Sequence, residues 1–233
     1  MTEQVHTIHT SGFGTGIAQQ ERNRVLRNTY WLLTLSLIPT VLGAWLGVST
    51  GITKAVMGGW VGMIVFLGGA FAFMYAIEKT KNSAAGVPVL LGFTFFMGLM
   101  LSALIERTLG FKNGPSLIMT AFGGTAGVFF VMASLASVIK RDLTGMGKWL
   151  FVGAVVLMVG SIIGVLVGSS AAMIAVSVAA IGIFSAYMLY DLKQIIDGGE
   201  TNYITATLAL YLDIFNVFQS LLALLGIFGG ERD

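Results

Sequence analysis

Seven long apolar runs joined by short polar connections dictate what this chain can fold into. A bilayer core of about 30 Å takes about 20 apolar residues of helix, and runs of that size lie at 30–49, 56–77, 87–105, 117–139, 149–168, 171–196 and 203–228. Only a small polar turn at Ser169 and Ser170 separates the fifth from the sixth. Fused, they make a helix of about 47 residues and about 70 Å, too long for one bilayer, so the expected count is seven and not six. Charged residues make up 10% of the 233 positions and hydrophobic ones 56%, against roughly 25% charged in a soluble domain. Such a surface cannot be covered for water, and the fold class that follows is an all-α integral membrane protein, a seven-helix transmembrane bundle.

The loops bear the formal charge of +2, which points away from a nucleic-acid-binding surface and toward the bilayer as the chain's main partner. Without cysteine there is no disulfide, thiolate metal site or cysteine nucleophile. Residues 1–28 read as a flexible cytoplasmic tail and 29–230 as the transmembrane domain; the tail lacks the apolar core of a cleavable signal. Its SGFGTG run, Ser11 to Gly16, follows no strand and opens no βαβ unit, so it reads as tail and not as a phosphate loop. His6 and His9 have no companion ligands nearby, and no metal is expected on them. Lys and Arg collect on the cytoplasmic side. Arg22, Arg24, Arg27, Lys79, Lys81, Lys140, Arg141, Lys148 and Lys193 fall on the side of the tail, against Lys54, Arg107, Lys112 and Arg232 on the other. That asymmetry predicts a cytoplasmic N-terminus and, after seven spans, a periplasmic C-terminus.

Glycines recur at four-residue spacing as Gly43 and Gly47, Gly123 and Gly127, and Gly160, Gly164 and Gly168. Small residues let helices approach closely in lipid. The spacing fits packing within one bundle or a homodimer face, so a monomer and a weak homo-oligomer both stand.

Two carboxylates lie deep within the runs, Asp191 and Asp213. An ionisable group inside a span is costly enough to mark a functional site. Asp191 stands about 8 Å from the end of the sixth span and Asp213 about 15 Å along the seventh, so antiparallel neighbours bring them to similar depth. Asn202, Ala206, Ala209, Asp213, Asn216 and Ser220 share one face of the seventh helix, and Ser177, Ala180, Phe184, Tyr187 and Asp191 one face of the sixth. Asn216, Ser220 and Tyr187 thus stand as a supporting polar face. Two carboxyl groups in a low-dielectric site can share a proton, sense pH or hold a cation; the alternative is that each fastens helices together by hydrogen bonds. Glu78 and Glu106 sit beside Lys79 and Arg107 at the membrane surfaces, where solvated charge is the simpler reading. No H-E-x-x-H pair or P-loop occurs, which gives no ground for an enzyme or a bound cofactor.

The segments YDLKQI from Tyr190, GGETNYI from Gly198 and LYLDIFNVF from Leu210 resemble the C-terminal signature of the Bax inhibitor-1, or transmembrane Bax inhibitor motif, family. VLRNTYWLL from Val25 and the GGETNY turn are similar to its bacterial inner-membrane branch, which includes a modulator of the FtsH-type membrane-anchored AAA protease. The resemblance implies a fold with the last helix at its centre. It also implies a proton-sensitive aspartate latch on a calcium leak, here Asp191 and Asp213, with transient Ca²⁺ at both. Where channel-like relatives place an arginine near the end of the second span this chain has Glu78, Lys79 and Lys81, which leaves Lys79 as the candidate latch partner. The expected function is a pH-sensitive calcium leak of the bacterial cytoplasmic membrane. The alternative is a regulatory partner of the protease that transports nothing.

Overall fold

One left-handed glycine decides the helix count. Gly168 has φ +66°, a conformation that costs any other L-residue about 1 kcal/mol or more, and it ends one helix where Ser169 begins the next by accepting a hydrogen bond from the Ala172 N–H at 3.3 Å. Six versus seven is thereby resolved at the turn the sequence marked. The computed structural model describes residues 11–52 and 59–231; His6, His9, Lys54 and Arg232 lie outside them. The helices are α1 Ser11–Thr50, α2 Gly59–Thr80, α3 Gly86–Leu109, α4 Gly114–Val138, α5 Met146–Val167, α6 Ser170–Asp197 and α7 Tyr203–Gly229, with no strand among the described residues. All seven contain a stretch long and apolar enough to cross a membrane, so the chain is a multi-pass membrane protein.

The main departure from expectation is α1, which is helical from Ser11 through the segment read as a tail. Gln19, Gln20, Glu21, Arg22, Arg24, Leu26 and Arg27 are all strong helix formers, so nothing between the polar start and the apolar span stops the helix. Elsewhere the boundaries shift by a few residues.

α7 is the hub: among the described residues it packs against α1, α2, α3, α4 and α6, while α5 leans on α6 alone. The closest approach is between α1 and α3. A side chain on Gly98 would meet the Thr40 carbonyl, and one on Gly43 would meet the Phe95 carbonyl, so the two backbones touch at glycine positions. Beside this crossing, Tyr211 of α7 is fully buried, exchanges a hydrogen bond with Thr40 Oγ1 at 2.8 Å and stands edge-on to Phe93 at 6.1 Å. The α5 glycines face α6: Gly147 meets Tyr190, Gly153 meets Ile183, Gly160 meets Val176 and Gly164 meets Met173. The seam is therefore packing within the bundle. Several hydroxyls inside the helices return to their own backbone, as Ser36 does to Leu32 O and Thr125 to Ala121 O, which satisfies them without water.

Candidate functional site

Gly198, with φ +83°, stops α6, and the Asn202 side chain opens α7 by accepting from the N–H groups of Ile204 and Thr205 at 2.9 and 3.3 Å. Asn202 also donates through Nδ2 to Lys81 O at 3.1 Å and to Asn82 Oδ1 at 2.8 Å, tying the turn to the α2–α3 connection. This tight hairpin sets α6 and α7 antiparallel in the register the sequence anticipated. Asp191 and Asp213 thereby lie close enough across the α6–α7 contact for their carboxyl groups to interact.

Asp213 is 4% exposed, and its Oδ2 has no hydrogen-bond partner. Two carboxyl groups at such range can share one proton between them. Asp191 is only half buried, and it lines a pocket of about 260 Å³ with Tyr190, Gln194, Glu200, Ala206 and Ala209. Ala209 and Ala206 stand one and two turns before Asp213 on its own helix face. Their small side chains leave the space through which the bundle end reaches Asp191.

The supporting residues divide. Tyr187, one turn before Asp191, stacks on Phe184 with centroids 6.0 Å apart and lies within electrostatic reach of both aspartates. Asn216 turns its amide back to Leu212 O at 2.8 Å, so that donor is engaged on its own helix. Ser220 is half buried seven residues beyond Asp213, about 10 Å along the axis. Lys79 is exposed with its ammonium over the Tyr75 ring, 5.5 Å from the centroid; the charges that bear on Asp191 are Asp213 and Glu200. The Lys79 side chain thus lies along its own helix surface. Glu78 pairs with Lys81 at 2.5 Å on the outside, as a solvated charge does.

Two residues here were not singled out from the sequence. Glu200 lines the aspartate pocket and accepts from its neighbour Asn202 N–H at 2.7 Å; as one acid of a polar turn it carried no signal until the hairpin brought it over Asp191. Lys193, counted among loop charges, is 8% exposed and pairs with Asp197 at 2.8 Å. It also faces Asp142 of the α4–α5 loop, whose carboxyl is held below its usual range by hydrogen bonds from the Thr144 hydroxyl and N–H, with Lys193 adding to them. Among the described residues no group of three or more His, Cys, Asp or Glu side chains is arranged to hold a metal ion.

Residues 22–230 match the family described as inhibitor of apoptosis-promoting Bax1. The chain is similar to an uncharacterized membrane protein of Vibrio cholerae, 34% identical over 207 residues, which covers 89% of this chain and 91% of the relative. It is also similar to the modulator of FtsH protease YccA of Escherichia coli, 35% identical over 204 residues, 88% of this chain and 90% of that one. A Helicobacter pylori protein is 32% identical over 217 residues, 93% and 92% of the two chains.

Proposed function

The chain belongs to the Bax inhibitor-1 family, and from that premise we propose that it is a pH-sensitive leak for cations, Ca²⁺ foremost, across the bacterial inner membrane. The observation that carries the reading is the approach of Asp191 to Asp213 beside a pocket that Asp191 lines at the α6–α7 hairpin. One proton between the two carboxyl groups clamps α6 to α7 without a cationic partner, which removes the need for Lys79. The clamp is charge-assisted while the pair holds one proton and roughly half as strong once a second arrives. Acidification therefore loosens it and opens the path. The test is Ca²⁺ uptake by liposomes that contain only this protein, measured from neutral to mildly acidic pH. Uptake that rises in acid is expected; uptake equal to that of protein-free liposomes at every pH removes the leak.

The second reading is a modulator of a membrane-anchored protease, favoured by the 35% identity to the FtsH modulator of Escherichia coli. It requires no flux, so the same liposomes separate the two.

Orientation is part of the proposal. Arg22 packs beside Gly198, Asn202 bonds the Lys81 carbonyl and Lys193 faces the Asp142 loop, so the basic loops gather at the hairpin end of the bundle. By the charge rule that end is cytoplasmic. A periplasm-dependent reporter fused after residue 233 is expected to be active; activity of a cytoplasm-dependent reporter alone would reverse the assignment.

A further inference from the structure

Glu200 faces two cavities. Beyond the one that leads to Asp191 lies a second, of about 470 Å³, walled on one side by Glu21, Arg22, Arg24 and Asn28 of α1 and on the other by the hairpin with Glu200 and Tyr203. Its size lies within the ~300–1,000 Å³ of small-ligand sites. The cavity exists because α1 continues as a helix past the apolar span, which carries its arginines over the α6–α7 turn. Arg22 rests against Gly198, where a side chain at that position would strike the guanidinium. No ion pair joins Arg22 or Arg24 to Glu21 or Glu200 among the described residues.

The charges are of both signs and separate: two guanidiniums and two carboxylates, net zero, around one cavity. Guanidinium binds phosphate oxygens in a planar, two-pronged fashion. Carboxylates are matched by a primary ammonium, which offers three N–H donors. The cavity sits where the α1 span leaves the apolar region, with Tyr203 at its wall, and tyrosine at that level marks the headgroup layer. Basic pockets between transmembrane helices at that level take lipid headgroups.

We propose that this cavity is a binding site for the phosphoethanolamine headgroup of a phospholipid, the phosphate held by Arg22 and Arg24 and the ammonium by Glu21 and Glu200. An anionic headgroup lacks the ammonium the carboxylates need. A choline headgroup carries positive charge but no N–H to donate. The proposal does not depend on ion transport, since it concerns the cavity on the other side of the hairpin.

The test is native mass spectrometry of the full-length protein in detergent, titrated separately with phosphatidylethanolamine, phosphatidylglycerol and phosphatidylcholine. Phosphatidylethanolamine is expected to be retained at about tenfold lower concentration than the others, as one charged hydrogen-bond set confers. The Arg22→Gln/Arg24→Gln variant should lose that retention by about tenfold. Glu21→Gln/Glu200→Gln should exchange the preference for phosphatidylglycerol, because two guanidiniums without counter-charges select a net anion. These side chains line an open cavity, and unchanged helical circular dichroism verifies both folds. Equal retention of the three lipids by the unaltered protein, or an ethanolamine preference that survives in both variants, overturns the proposal. Displacement of the bound lipid by millimolar inorganic phosphate also overturns it and assigns the cavity to a free anion.

Discussion

Asp213→Asn is expected to hold Ca²⁺ flux low at neutral pH and to blunt its rise in acid, and Asp213→Ala to make it high and flat. The amide of Asn donates to the Asp191 carboxylate, so the charge-assisted clamp between α6 and α7 persists as long as Asp191 is ionised. Alanine removes the clamp, and the Asp191 carboxylate, already open to the hairpin pocket, is left to water. In the unaltered protein a second proton replaces a charged hydrogen bond by a neutral one, a difference of about 1–1.5 kcal/mol, or roughly tenfold in the open-to-closed ratio. Flux is therefore expected to rise about tenfold in acid; Asp213→Ala abolishes the rise by starting high, and Asp213→Asn shrinks it, because a single carboxyl group is left to protonate. Folding should survive, because a neutral amide costs less to bury than an unpaired carboxylate. A normal acid response in both variants would sink the sensor. Loss of folded protein in both would return the pair to a purely structural role.

The reach of the sequence was set by which physical signals are local. Apolar run length placed all seven helices, and the small polar turn at Ser169 and Ser170 marked the break between α5 and α6. The neighbouring depth of Asp191 and Asp213 followed from counting residues on either side of the Gly198 to Asn202 turn. Questions of which helix faces which were not local. The glycines of α5 fit an internal or a dimer contact equally well until Tyr190, Ile183 and Met173 stood opposite them. Lys79 lay at the expected level, but level does not fix azimuth, and its ammonium covers Tyr75. Glu200 gained a role only through the hairpin, and the helical N-terminal stretch of α1 was hidden by its polarity, since an apolar-run argument stops where the bilayer does.

Gly98→Ala is expected to destabilise the bundle by about 2–4 kcal/mol. The added methyl would lie inside the Thr40 carbonyl of α1, and because the clash is with backbone, no rotamer relieves it. Overpacking of this kind costs about 1–3 kcal/mol. The displacement also moves Thr40, whose hydroxyl meets the buried Tyr211 hydroxyl at 2.8 Å, and a buried hydrogen bond adds about 1 kcal/mol. The strain thus passes from the α1–α3 crossing into α7, the helix that carries Asp213. Gly123→Ala on α4 is the control: nothing lies within 4 Å of its added carbon, and alanine is the better helix former by about 1 kcal/mol. Denaturation of the purified protein in mixed detergent, followed by circular dichroism, should find Gly98→Ala clearly weakened and Gly123→Ala equal to or above the unaltered chain. Equal stability of the two variants would mean that α1 and α3 are free to part without disturbing α7, which their glycine-to-carbonyl contacts do not allow.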